Sequence, residues 1–243
     1  MCFDEKMKPE LSKKIIDTEM RPLSSVLYEK GNIYTFLNPV SYLEAQKHKG
    51  LFLRYDGIFA DGSLLAAAIR ILYSKNVTRR SFDMTSVAPQ LLEFALQNKK
   101  TLYIVASKQE QVERAVTIIR EKYVGINIIG YRNGYFTSVE EEKAEANHIV
   151  EVAPDYLIVG MGVIAQEDFL LRVKEAGYDG IGFTCGGFIH QTARGETDYY
   201  PAWVDRMNIR FLYRMWKEPH TRKRYFVAGL IFPARFVWER FFG

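Results

Sequence analysis

Short runs of consecutive apolar residues alternate along the chain with longer stretches whose apolar positions recur every three or four residues. The runs read as strands at 33–37, 101–107, 126–130, 155–160 and 180–185. Several lack polar alternation, as strands covered on both faces do. Between them, helical spacing predicts helices over 40–48, 63–73, 86–97, 109–123, 139–152 and 166–176. In the fourth of these, Val112, Ala115, Val116, Ile119 and Tyr123 form one apolar stripe. The alternation predicts an α/β fold, a mostly parallel Rossmann-like sheet with helices on both faces. In such sheets ligands bind beyond the carboxyl ends of the strands, so the loops after the strands carry the interest.

The rhythm changes near residue 200. A helix starting at Pro201 would place Val204, Met207, Phe211, Leu212 and Met215 on one face. Arg206, Arg210, Arg214 and Lys217 would fall on another. Arg222, Lys223 and Arg224 follow, and then Tyr225 to Phe232, Phe236, Trp238, Phe241 and Phe242. The division expected is an α/β catalytic body over 1–200 and a basic, aromatic, membrane-associating appendage over 201–243.

Charge sharpens that division. Residues 203–243 hold nine Lys and Arg against three Asp and Glu, a net +6, while the rest carries 24 against 26, a net −2. All three tryptophans fall in the same segment. Such a tail suits an anionic partner, lipid head groups or nucleic acid, and its aromatic–basic mixture favours the membrane interface over nucleic acid. Nothing approaches the roughly 20 apolar residues that span a bilayer. The N-terminus carries charges where an export signal needs an apolar stretch. The two cysteines, Cys2 and Cys185, imply no disulfide framework. The expectation is a cytoplasmic protein, peripheral on the inner face of the membrane.

The candidate chemistry is sparse. Gly160-Met161-Gly162 through Ala165 fits the loose glycine pattern of dinucleotide-binding turns. The next strand should then end in an acid that holds the ribose, but it ends Phe183-Thr184-Cys185-Gly186-Gly187. Glu167 in a first helical turn is accounted for by the helix dipole. Gln166 brings an amide donor and acceptor to a loop edge. Asp83 precedes a helix, where a cap and a general base are both open readings, and Thr85 or Ser86 could cap instead. The four histidines show no metal-ligand spacing and the chain has no Asp-x-Asp, so neither a metal nor another cofactor is expected. Nucleotide-hydrolase and common hydrolase motifs are absent.

Together these segments resemble the WecG/TagA/CpsF family of bacterial glycosyltransferases, from about Ile33 to Tyr225. The most specific stretch is Tyr200-Pro201-Ala202-Trp203, then Phe211 to Glu218-Pro219, Arg222 and Arg224-Tyr225. Asp155 to Gly162 with Gln166-Glu167 is similar to a second family segment, and Cys185-Gly186-Gly187 to its double-glycine turn. Thr35 to Pro39, Ala60-Asp61-Gly62 and Asp83 resemble the remainder. Departures fall at Ile164-Ala165, where the family has Pro-Lys, at His190 in place of an Asp, at Ser81 in place of a Gly, and at Arg210-Phe211 in place of Glu-Trp. They bear on the donor sugar more than on the reaction class.

The resemblance implies an inverting, metal-independent transferase. It would move a sugar from a UDP-sugar to a polyprenyl-diphosphate-linked acceptor in surface-polysaccharide synthesis. Asp83 would be the base. Thr35, Asn38, Asp61, Gly162, Gln166 and Gly187 would hold the donor, and Arg214, Arg222 and Arg224 the diphosphates. Homo-oligomerisation stays open. An NAD-type oxidoreductase, a nucleic-acid-binding protein and a non-catalytic membrane scaffold are the competing classes.

Overall fold

A computed structural model of the chain describes residues 10–195, 204, 210–217 and 222–242. Its strands are β1 (Ile33–Leu37), β2 (Gly57–Ala60), β3 (Thr101–Ala106), β4 (Asn127–Arg132), β5 (Tyr156–Gly160) and β6 (Ile181–Thr184). They form one sheet in the order β2-β1-β6-β5-β3-β4, with every pairing parallel. The longer helices are α1 (Pro39–Lys47), α2 (Ser63–Tyr73), α3 (Val87–Gln97), α4 (Gln109–Lys122), α5 (Val139–Val152) and α6 (Ala165–Glu175). After β6 come α7 (Phe188–Ala193), α8 (Arg210–Lys217) and α9 (Arg222–Phe242). The α/β class and the parallel sheet are as the alternation predicts.

Because side chains alternate across a strand, each strand feeds two layers. On one face Tyr34, Phe59, Ile104, Ile158 and Phe183 pack with Leu91 of α3, Val116 and Ile119 of α4 and Ile189 of α7. The opposite face divides in two. Val105, Leu157 and Val159 meet Ile149 of α5 and Phe169 of α6. Leu37 and Ile58 meet Tyr42 of α1, Ile69 of α2, and Phe232 and Phe236 of α9. Burial of such side chains stabilises by about 1.5–3 kcal/mol each, which makes the three clusters the main support of the fold.

The C-terminal helix is amphipathic in a form the sequence pattern did not give. Phe232, Phe236 and Glu239 are buried and follow the i, i+4, i+7 spacing of one stripe. Phe226, Leu230, Trp238, Phe241 and Phe242 stay exposed. The helix expected to start at Pro201 begins outside the described residues. No helix among the described residues is long and apolar enough to cross a membrane.

Strand β2 has no counterpart in the sequence reading. Its Gly-Ile-Phe-Ala is only four residues long, at the short limit of strands, although all four are buried. Helix α1 starts at Pro39 because Asn38 caps it: its Oδ1 accepts from the amides of Val40 and Ser41, both at 3.0 Å.

Candidate active site

The loops that follow the strands converge on one cleft of about 920 Å3, within the usual size of a small-ligand site. Every strand contributes: Asn38 after β1, Asp61 after β2, Lys108 after β3, Tyr135 after β4, Gly162 after β5 and Gly187 after β6. This is the carboxyl rim that a parallel sheet predisposes to ligand binding. Gly229 of α9 also lines the cleft, so the C-terminal helix reaches its edge.

Two glycines shape the β5 side. A Cβ on Gly160 would lie 2.6 Å from Cys185 Sγ and 2.9 Å from the Gly186 carbonyl, so only glycine lets the β5 and β6 loops approach. Gly162 takes φ +87°, in the left-handed region. Two residues on, Ile164 has φ 79° and ψ −55°, a strained γ-turn conformation that is costly for a β-branched residue. Its amide donates to Glu167 Oε2 at 2.6 Å, which holds the turn.

Among the described residues, Asp61 and Asp83 supply the carboxylates of the cleft lining. Asp83 is not the helix cap, because α3 has Ser86 at that position. Its Oδ2 accepts from Ser81 Oγ at 2.6 Å. Its Oδ1 accepts from the Thr85 amide at 2.9 Å and from Thr85 Oγ1 at 2.6 Å. Arg79 donates to Ser81 Oγ at 3.1 Å, which brings a guanidinium beside this loop. Lys108, His190 and Arg194 add basic side chains to the lining. The sequence reading gave Lys108 and Arg194 no role; their places just after β3 and at the C-terminal cap of the helix after the double glycine were the available signal.

Of the residues singled out from sequence, Asn38, Asp61, Asp83, Gly162, Gln166 and Gly187 all line the cleft. The Nδ2 of Asn38 has no hydrogen-bond partner among the described residues and is available to a ligand. Thr35 is placed elsewhere. It is fully buried beneath the floor and donates to Glu167 Oε1 at 2.8 Å. An inward side chain in the middle of a central strand cannot reach the rim. Arg222 is exposed, and its Nε donates to the Met215 carbonyl at 2.8 Å. The side chains of Arg214 and Arg224 lie outside the described residues.

Gln166 is tied at both ends of its amide, Oε1 accepting from the Gly186 amide at 3.1 Å and Nε2 donating to Glu167 at 2.8 Å. Burial pushes the Glu167 carboxyl above its usual range, against the bonds it accepts from Gln166, Thr35 and Ile164. Burial also pushes the Cys185 thiol up to about 12, which leaves it inert as a nucleophile at neutral pH. Among the described residues no group of three or more His, Cys, Asp and Glu could hold a metal ion.

The chain matches the sequence profile of the glycosyl transferase WecG/TagA/CpsF family over residues 16–243. It is 35% identical over 207 residues to a UDP-Gal:alpha-D-GlcNAc-diphosphoundecaprenol beta-1,4-galactosyltransferase of Shigella boydii, covering 85% of this chain and 86% of that one. It is 24% identical over 198 residues to an N-acetylglucosaminyldiphosphoundecaprenol N-acetyl-beta-D-mannosaminyltransferase of Bacillus subtilis (strain 168), covering 80% and 75%. A protein of the same name from Bacillus spizizenii is 22% identical over 227 residues, covering 89% and 86%. A profile match that spans the sheet, the cleft and the C-terminal helix, with a relative above 30% identity over most of both chains, shows that this chain is a glycosyltransferase and belongs to the WecG/TagA/CpsF family.

Proposed function

We propose that this protein transfers a sugar from a UDP-sugar to a polyprenyl-diphosphate-linked saccharide in surface-polysaccharide synthesis. The observation that carries the proposal is the single cleft in which Asn38, Asp61, Asp83 and the glycine turns of β5 and β6 meet Arg79, Lys108 and Arg194. The relatives' names specify β products on diphosphoundecaprenol acceptors, and one specifies a UDP-sugar donor. Nucleotide-hexose donors of that type are α-linked, so a β product requires inversion. One direct displacement then needs one base and no covalent intermediate.

In this reading Asp83 takes the proton of the acceptor hydroxyl as its oxygen attacks the anomeric carbon. Negative charge grows on the departing diphosphate. Arg79, Lys108 and Arg194 would meet it without a metal, together with the amides of the double-glycine turn. Arg214, Arg222 and Arg224 are assigned to the acceptor diphosphate, where the planar guanidinium fork suits phosphate oxygens. Asn38 Nδ2 and the remaining N–H of Gln166 would orient the donor.

A second assignment of the base is favoured by one observation. Asp61, at the loop after β2, also brings a carboxylate to the cleft lining and is the alternative proton acceptor. The membrane assignment rests on α9, whose exposed face carries Phe226, Leu230, Trp238, Phe241 and Phe242 beside Arg222, Lys223, Arg235 and Arg240. Docked by that face on the inner surface of the membrane, the protein would have the edge of its cleft beside the lipid-linked acceptor.

The deciding experiment incubates the protein with a panel of UDP-sugars and a GlcNAc-diphosphopolyprenol acceptor, with and without EDTA. One UDP-sugar should give a β-linked lipid disaccharide at a rate that EDTA does not change. No product from any donor sinks the proposal, and loss of product in EDTA sinks metal independence alone.

A further inference from the structure

The carboxylate of Glu167 lies beneath the floor of the cleft and is only 1% exposed. Its Oε1 accepts from Thr35 Oγ1 and from Gln166 Nε2, both at 2.8 Å. Its Oε2 accepts from the Ile164 amide at 2.6 Å. Thr184 Oγ1 donates in turn to Thr35 Oγ1 at 2.9 Å, leaving the Thr35 proton for Glu167. The Ile164 and Gln166 N–H groups can only donate, and with Thr184 donating to it the Thr35 hydroxyl donates too, so both carboxylate oxygens act as acceptors. That is the bonding pattern of an ionised acid. Among the described residues no Lys or Arg pairs with it. The accepted hydrogen bonds and the first turn of α6 offset the cost of burying the charge.

A neutral side chain of the same size would be cheaper to bury, so the charge has to be weighed by what it alone allows. Only a carboxylate accepts at both ends. One oxygen fixes Gln166, whose Oε1 is held by the Gly186 amide at 3.1 Å. With a donor at one end and an anion at the other, the Gln166 amide cannot flip, and its second N–H is committed as a donor. The other oxygen fixes Ile164 in the turn where it takes φ 79° two residues after Gly162 at +87°. A strained conformation of this kind persists only where its surroundings over-determine it. One buried anion thus ties the middle of β1 directly, and the loop after β6 through Gln166, to the turn after β5.

We propose that Glu167 is a positioning residue for sugar transfer, holding the post-β5 turn and the Gln166 amide in the geometry that the bound donor requires. The inference rests on the reading of the cleft as the transfer site. Glu167 acts through Gln166 and Ile164 and touches no substrate itself.

The test is a double-mutant cycle on the full chain, with the UDP-sugar and acceptor that support wild-type turnover. Glu167→Gln keeps the volume but turns an amide against donors, and should lower kcat/KM by about tenfold or more while melting stays cooperative. Gln166→Ala should lower it similarly. If the two act as a unit, the double variant falls no more than about threefold below the worse single variant. Should Glu167→Gln not fold, Thr35→Val removes one of the three donors and replaces it in the cycle, with a loss of roughly threefold or more expected. A Glu167→Gln protein within about twofold of wild type overturns the proposal, and so do losses that multiply in the double variant. Isothermal titration of UDP into the wild type separates the two levels of argument. Wild-type protein that neither binds UDP nor transfers sinks the reading of the cleft and this inference with it. Wild-type transfer with an unaffected variant sinks only the positioning role.

Discussion

Tyr42 of α1 donates its hydroxyl to Glu239, 197 residues further along the chain, at 2.8 Å. Gln46 donates to the same carboxylate at 2.6 Å, and Lys49 pairs with its other oxygen at 3.4 Å. Phe236 packs edge-to-face against this contact, its ring centroid 5.3 Å from that of Tyr42. The last helix is therefore built into the second apolar cluster rather than resting on the surface. Phe236→Ala should destabilise the protein by about 3–5 kcal/mol, the usual range for a buried Phe. Glu239→Ala should cost about 1–3 kcal/mol, since it leaves the Tyr42 hydroxyl buried without an acceptor. Denaturant titration checks both. Wild-type midpoints would mean that the helix does not contribute to the body.

The base assignment separates cleanly by mutation. Asp83→Asn should leave UDP binding nearly intact and lower turnover by roughly a hundredfold or more, the scale of a lost general base. Under the alternative, Asp61→Asn shows that loss, while Asp83→Asn loosens the 81–86 loop and raises KM instead. Steady-state kinetics of the two variants decides between them. Two variants with wild-type turnover would remove both residues from the proton-transfer step.

The sheet was legible because its central strands are continuous apolar runs, and β5 and β6 were found within a residue or two. β2 was not, since four residues opening on Gly57 carry too little pattern to stand out. The cleft residues were legible where a loop directly follows a strand, as with Asn38 and Gly162. Thr35 shows the limit of that reasoning, because a position in a motif does not say which face of the strand it occupies. Glu167 shows it from the other side. Its place in a first helical turn is sufficiently explained by the dipole, and only the fold reveals that its carboxylate is buried against Thr35, which is 132 residues away in sequence.

Acid stability should report on a second carboxylate, far from the floor of the cleft. The Arg21 guanidinium bonded to Glu29 holds its carboxyl down at about 2, helped by bonds from Tyr34 and Asn32 and opposed by burial. The folded value lies below the ordinary 4.5, so the unfolded chain binds the proton more readily. The stabilisation is then complete above about pH 4.5 and is lost as pH falls toward 2. Glu29→Gln should be less stable than wild type at neutral pH, and the gap should close across that window. Urea midpoints measured from pH 7 to pH 3 test this, and a gap that stays constant with pH would show that the pair does not titrate as described.

The outer face of α9 gives the sharpest test of membrane docking, because it can be altered without disturbing the inner face. Trp238 is 60% exposed, Phe241 63% and Phe242 74%, whereas Phe232 and Phe236 are each 1% exposed. Removing the whole tail would confound two effects, since it would also strip Phe232 and Phe236 from the core. Replacing Trp238, Phe241 and Phe242 with Ser should leave the melting temperature within a few degrees of wild type, as surface changes usually do. The same variant should lose most of its binding to vesicles containing anionic lipid. Wild-type binding should weaken as salt is raised, because Arg222, Lys223, Arg235 and Arg240 contribute through screened attraction. Transfer to a short-chain, water-soluble acceptor should persist in the triple variant, while transfer to a full-length polyprenyl acceptor in vesicles should fall. If the triple variant still sediments with vesicles, the contact lies on another surface. If it loses transfer to the soluble acceptor as well, the aromatic face belongs to the catalytic machinery and not to the membrane anchor.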